Sequence, residues 1–147
     1  MDRLDYDVFL SFRGTDTRNN FTSHLYDALR RENIKAFIDR RIERGEEITP
    51  ALDRVIEGAK ISIIVFSSDY ASSTFCLDEF LKIMECKESK AQIVLPIFYK
   101  VDPSKTIYQK AFARHEAMRQ EMTEVMRWKS AFCKAVDLAG WHIDDNR

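Results

Sequence analysis

Four short runs of β-branched and aromatic residues, Tyr6 to Phe12, Lys35 to Ile38, Ile61 to Phe66 and Ile93 to Tyr99, recur at intervals long enough to hold helices. This rhythm constrains the fold more than any single motif, because strands alternating with helices build βαβ units. The second, third and fourth runs are nearly continuous in apolar character, as expected of parallel strands covered on both faces. The first alternates slightly, through Asp7 and Ser11.

The intervening segments carry helix signals. Asp16 or Thr17 can cap a helix with apolar positions Phe21, Leu25, Ala28 and Leu29, ending near Asn33. Thr49 followed by Pro50 predicts a second helix that stops at Gly58. The stripe Leu77, Phe80, Leu81, Met84 predicts a third from about Cys76 to Cys86. Ala111 to Glu121 and Val125 to Leu138 read as two more, followed by Gly140 and a short strand at Trp141-His142-Ile143.

Right-handed crossovers between parallel strands turn this order into an α/β three-layer sandwich. The expected form is flavodoxin-like, a five-stranded parallel sheet in the order 2-1-3-4-5 with helices on both faces. At 147 residues and 45% hydrophobic content the chain suits one domain, with a core from about residue 5 to 143. Such sheets bind ligands beyond the carboxyl ends of strands one and three, where the strand order reverses. The loops of interest are therefore Arg13 to Arg18 and Ser67 to Thr74.

Charge and cysteine content narrow the setting. Twenty-four acidic residues against 23 basic ones leave a formal charge of -1, so no global field draws the chain to nucleic acid or an anionic membrane. The longest apolar runs fall well short of the ~20 residues of a membrane span, and no signal-peptide core opens the sequence. Cys76, Cys86 and Cys133 are widely spaced and match neither a disulfide framework nor a metal-ligand pattern, so no metal is expected. A reducing, cytoplasmic setting fits best, with the nucleus as a second compartment.

In the first loop, Arg13, Gly14 and Arg18 stand beside a helix N-terminus, an arrangement that suits phosphate oxygens and equally describes solvated arginines beside a cap. Neither GxGxxG nor GxxxxGK is present. After the third strand, Glu79 lies roughly 200° around the helix from Leu77, off the expected apolar stripe, where it can face the cleft or simply face water.

The stretch Tyr6-Asp7-Val8-Phe9-Leu10-Ser11-Phe12-Arg13-Gly14-Thr15-Asp16-Thr17-Arg18 resembles the opening of plant Toll/interleukin-1 receptor (TIR) domains. The resemblance continues in the family's order through Arg44-Gly45-Glu46-Glu47-Ile48, Ile63 to Ser67, Cys76-Leu77-Asp78-Glu79, Pro96 to Ser104 and Gly140-Trp141-His142-Ile143. It spans almost the whole chain. It implies the module at the front of plant intracellular immune receptors, which on self-association cleaves NAD+ or NADP+ at the nicotinamide glycosidic bond to produce ADP-ribose-type or cyclic ADP-ribose-type signals. NAD+ or NADP+ would be substrate, with no further cofactor, and other TIR domains would be homotypic or heterotypic partners.

By the same resemblance Glu79, in the family's Cys-Leu-x-Glu motif, is the catalytic carboxylate. Arg13, Gly14, Arg44, Ser67, Phe75 and Cys76 fall at the nucleotide, and Ser23 and His24 match a pair through which these domains pack helix against helix. One carboxylate is chemically sufficient, because nicotinamide leaves a cationic pyridinium as a neutral molecule and needs no general acid, unlike the paired-carboxylate scheme of most glycosidases.

Three departures from the family pattern bear on function. Phe75 stands where Trp is usual, which reduces the stacking area and implies weaker activity. The segment after Ser104 is roughly five residues shorter than usual. The sequence also stops at Arg147, before the family's last helix, so a sandwich lacking that helix is expected. The competing reading is a non-catalytic interaction module that uses the same fold for docking. A nucleic-acid substrate, known for some plant TIR domains, gains no support from the charge.

Overall fold

The computed structural model describes residues 6–13, 21–38, 50–67, 70, 73–99, 112–114, 122–138 and 141–143. In chain order the elements are β1 (Val8–Ser11), α1 (Phe21–Arg31), β2 (Ala36–Ile38), α2 (Pro50–Gly58), β3 (Ile61–Phe66), α3 (Thr74–Lys90), β4 (Ile93–Tyr99), α4 (Met122–Val136) and β5 (Trp141–Ile143). Residues 112–114 add a helical turn, and the rest of the helix expected over Ala111 to Glu121 lies outside the described residues. The five strands form one parallel sheet in the order β2-β1-β3-β4-β5, the expected flavodoxin-like arrangement.

β1 lies inside the sheet: Val8 pairs with Ala36 of β2 on one side and with Ile61 of β3 on the other. Side chains alternate between the two faces along each strand. Phe9, Ile64, Phe66, Val94 and Phe98 point to one face, where they pack with Leu52, Val55 and Ile56 of α2, Leu77, Phe80 and Ile83 of α3, and Val125, Trp128 and Ala135 of α4. Val8, Leu10, Ile63, Val65 and Ile97 point to the other, against Phe21, Leu25, Tyr26 and Leu29 of α1. Among the described residues, helices thus cover both faces, α2, α3 and α4 on one and α1 on the other.

The helix ends have local causes. Asn33 stops α1 with a left-handed backbone, φ 63°. Its N–H bonds the Arg30 carbonyl, and the Ile34 N–H reaches back to Leu29, a paired closure that satisfies the last carbonyls. Pro50 is the first residue of α2, where its missing N–H costs nothing.

Three expectations need correction. β1 does not alternate: all four residues are buried, Ser11 included, because layers cover both of its sides. Asp7 precedes the strand, where its carboxylate accepts from the Lys35 N–H at 3.0 Å and its carbonyl from Lys60 and Ile61 at 3.1 Å, tying three strand starts together. α3 is longer than Cys76 to Cys86. Ser73 caps it, with its hydroxyl accepting from the Cys76 N–H, and a polar last turn runs to Lys90. That turn escapes an apolar stripe because its contact is ionic, Glu88 with Lys134 of α4 at 2.9 Å, following the Glu85 to Arg127 pair at 3.0 Å one turn earlier. α4 itself begins at Met122, a turn before Val125.

Candidate active site

The parallel ladder of β1 and β3 ends at Ser11 opposite Ile64, and the chain leaving β3 leads to Tyr70 and the capped start of α3. The strand order reverses here. Ser11 follows Phe9 on the face that carries α3, so its hydroxyl points at that helix.

On α3, Glu79 lies one turn beyond Cys76 and four residues before Ile83, at ~60° and ~40° from them around the axis. Both neighbours are fully buried, and so is Glu79, with 0% of its surface exposed. The buried arc of α3 is therefore wider than the stripe Leu77, Phe80, Leu81, Met84. Glu79 points into the protein against the end of β1 and not into an open cleft.

A short polar chain receives it. The Ser11 hydroxyl donates to Glu79 Oε1 at 2.5 Å, Ser11 Oγ and the Tyr70 hydroxyl are 2.6 Å apart, and the Tyr70 hydroxyl donates to the Cys76 carbonyl at 3.2 Å. All four residues are buried. Cys76 adds a second tie, its thiol lying 3.7 Å from the Phe12 carbonyl. Hydrogen bonds of this kind, in a region of low dielectric, are stronger than in water and fix side chains in one orientation.

The remaining expected residues divide. Ser67 is buried at the end of β3, and Cys76 is enclosed with no exposed surface, so its observed contacts join β1 to α3. Arg13 follows Phe12 and is half-buried. Gly14 and Arg44 lie outside the described residues, as does the side chain of Phe75. Ser23 and His24 sit on α1 with both side chains exposed, away from the Ser11–Glu79 pair. Ser11 and Tyr70 were not among the site residues expected from sequence. Their signal was faint: one hydroxyl in an apolar strand and one aromatic in a Ser-rich loop.

The TIR domain family profile matches residues 5–147. The chain belongs to the TIR domain family. It is 50% identical over 147 residues to disease resistance protein RPV1 of Vitis rotundifolia, which covers 97% of this chain and 10% of that protein. It is 48% identical over 145 residues to TMV resistance protein N of Nicotiana glutinosa, covering 94% and 13% respectively. The chain spans about a tenth of the length of these curated relatives. Among solved structures it is similar to the TIR domains of the activated Roq1 resistosome, with TM-score 0.86 and 40% identity over 94% of this chain and 87% of that one. The polar chain at Glu79 therefore lies in a TIR domain, at the switch point of its sheet.

Proposed function

We propose that this TIR domain is an NAD(P)+ nucleosidase of plant immune signalling, activated by self-association, with Glu79 as its catalytic carboxylate. One observation carries the reading: a carboxylate is built into the sheet's switch point and oriented by a hydroxyl from β1. A buried charge is costly unless hydrogen-bonded, so its presence at the switch point favours a chemical role. Names of relatives supply the setting, since RPV1 and protein N are resistance proteins.

In the reaction the glycosidic bond between the ribose anomeric carbon and the pyridinium nitrogen breaks, and its electron pair stays on nitrogen, so nicotinamide departs neutral. Water adds to the anomeric carbon and loses a proton, or a nucleophilic ring nitrogen of adenine closes a cyclic product. Positive charge develops on the ribose in the transition state, where a fixed carboxylate stabilises it more than in the ground state. Arg13, Arg44 and Gly14 are assigned to the phosphates, Ser67, Phe75 and Cys76 to the nucleotide, and Ser23 and His24 to contact with a second TIR domain. No other cofactor is required.

Glu79 is enclosed in the single chain. That same observation favours a second reading, an interaction module without turnover. Under the first reading, assembly has to uncover the carboxylate. Nicotinamide release from NAD+ across a hundredfold protein dilution separates the two. The nucleosidase requires specific activity that rises with concentration, falls in His24→Ala at intermediate concentration and is lost in Glu79→Gln. Absence of release at every concentration refutes it and leaves the docking module.

A further inference from the structure

Ser11 and Tyr70 are both fully buried, and their hydroxyls meet beside Glu79 in the first turns of α3. A serine hydroxyl has one proton. Donated to Glu79 Oε1, it leaves Ser11 Oγ to accept, and the Tyr70 hydroxyl 2.6 Å away is positioned to donate to it. Tyr70 has one hydroxyl proton, and it is shared in a three-centre bond whose shorter branch runs to Ser11 Oγ at 2.6 Å and whose longer branch runs to the Cys76 carbonyl at 3.2 Å, while its ring packs edge-on against Phe66 with centroids 5.3 Å apart. The order is thus Tyr70 to Ser11 to Glu79. It joins the segment after β3, the end of β1 and the first turns of α3.

We propose that Ser11 and Tyr70 are positioning residues of this site, an ordered hydroxyl relay in which Tyr70 orients Ser11 and Ser11 orients the Glu79 carboxylate. The assignment rests on the nucleosidase reading and adds to it two residues that act through Glu79 and do not touch the reacting atoms. A hydroxyl needed only for packing would lower stability and leave turnover per folded molecule alone. A relay has a different signature. Removing the donor next to a charged acceptor misorients the carboxylate when charge develops, so kcat falls while KM holds. Residues acting in series also give effects that do not add.

The test uses the full chain at a concentration where wild type is active, each variant normalised to its folded fraction. Ser11→Ala is expected to lower kcat on the order of tenfold to a hundredfold, and Tyr70→Phe by a few-fold to tenfold, with KM unchanged in both. The double variant is expected to match Ser11→Ala alone, and Ser11→Thr, which keeps the hydroxyl, to recover most of the loss. Additive losses, or kcat per folded molecule equal to wild type in Ser11→Ala, overturn the relay. A second measurement does not depend on turnover: with ring-labelled tyrosine, the Tyr70 Cζ resonance should move in Glu79→Gln and in Ser11→Ala, and stay near its wild-type position in Ser11→Thr. An unmoved Tyr70 resonance in Glu79→Gln overturns the relay, while wild-type protein that releases no nicotinamide but shows the coupled shifts refutes the nucleosidase reading and leaves the hydroxyl order standing.

Discussion

Ser62→Ala is expected to make the domain more stable. Ser62 lies in β3, between Phe9 of β1 and Val94 of β4, with 1% of its surface exposed. Its Oγ has no hydrogen-bond partner among the described residues. A buried, unpaired hydroxyl costs ~1–3 kcal/mol in proteins. Removing one oxygen opens a void smaller than a methyl group, which at ~24 cal/mol per Å³ costs a few tenths of a kcal/mol. Alanine's poorer fit to a strand subtracts a similar amount. The net gain is about 1 kcal/mol, equivalent to a rise in Tm of ~2–4 °C for a chain of this size. Urea unfolding should show a higher midpoint at an unchanged slope, the mark of a stability change without a change in exposed surface. A lower midpoint for Ser62→Ala would refute the assignment of an unpaired hydroxyl.

Other sites give independent expectations. Ala91 ends α3 with φ 56°, a left-handed conformation that strains an L side chain, so Ala91→Gly should stabilise by ~0.5–1 kcal/mol, read as a higher urea midpoint. The hydrogen bond and charge of Lys82, 2.6 Å away, hold the Glu57 carboxyl below its ordinary 4.5, and the same hydrogen bond raises the Lys82 ammonium above its ordinary 10.5. The Glu57 contribution is therefore present above 4.5 and lost as pH falls through the lowered value, while that of Lys82 is present below 10.5 and lost as pH rises through the raised value. Lys82→Met should cost no more than about 1 kcal/mol near neutrality, since the pair is partly exposed, and should flatten the acid limb of urea midpoint against pH. Cys76 and Cys86 are buried, burial pushing the Cys86 thiol up, whereas Cys133 is exposed, so a thiol reagent should label Cys133 in the native protein and the other two only on unfolding.

The sheet was legible because its strands announce themselves by continuous apolar runs: β3 and β4 occupy Ile61–Phe66 and Ile93–Tyr99, the runs marked in sequence. The strand order followed from handed crossovers and not from any residue. Helix ends were legible where a residue has a conformational reason to be there, as with Pro50 and Asn33. Periodicity failed on α3, whose polar last turn has no apolar stripe to extend and whose buried arc includes a carboxylate. Position 79 could be found by resemblance, but its burial could not, because a helical wheel does not know that a strand end lies beneath it. Ser11 was hidden for the same reason: its partner is 68 residues away.

Two serines point from the sheet toward the same three helices, and they behave differently. Ser11, at the carboxyl end of β1, meets a carboxylate and a phenol, whereas Ser62, in the first half of β3, meets no polar partner among the described residues. Buried polarity alone therefore does not mark a site; what distinguishes Ser11 is convergence of several polar groups from separate elements at the switch point. The contrast has a measurable sign. Ser11→Ala removes a donor to a charged group and leaves the carboxylate short of a hydrogen bond, so it should destabilise by ~1–3 kcal/mol. Ser62→Ala, the same chemical change in the same layer, should stabilise. Equal signs for the two single changes would dissolve the distinction between a partnered hydroxyl and an orphan one on which the site assignment depends.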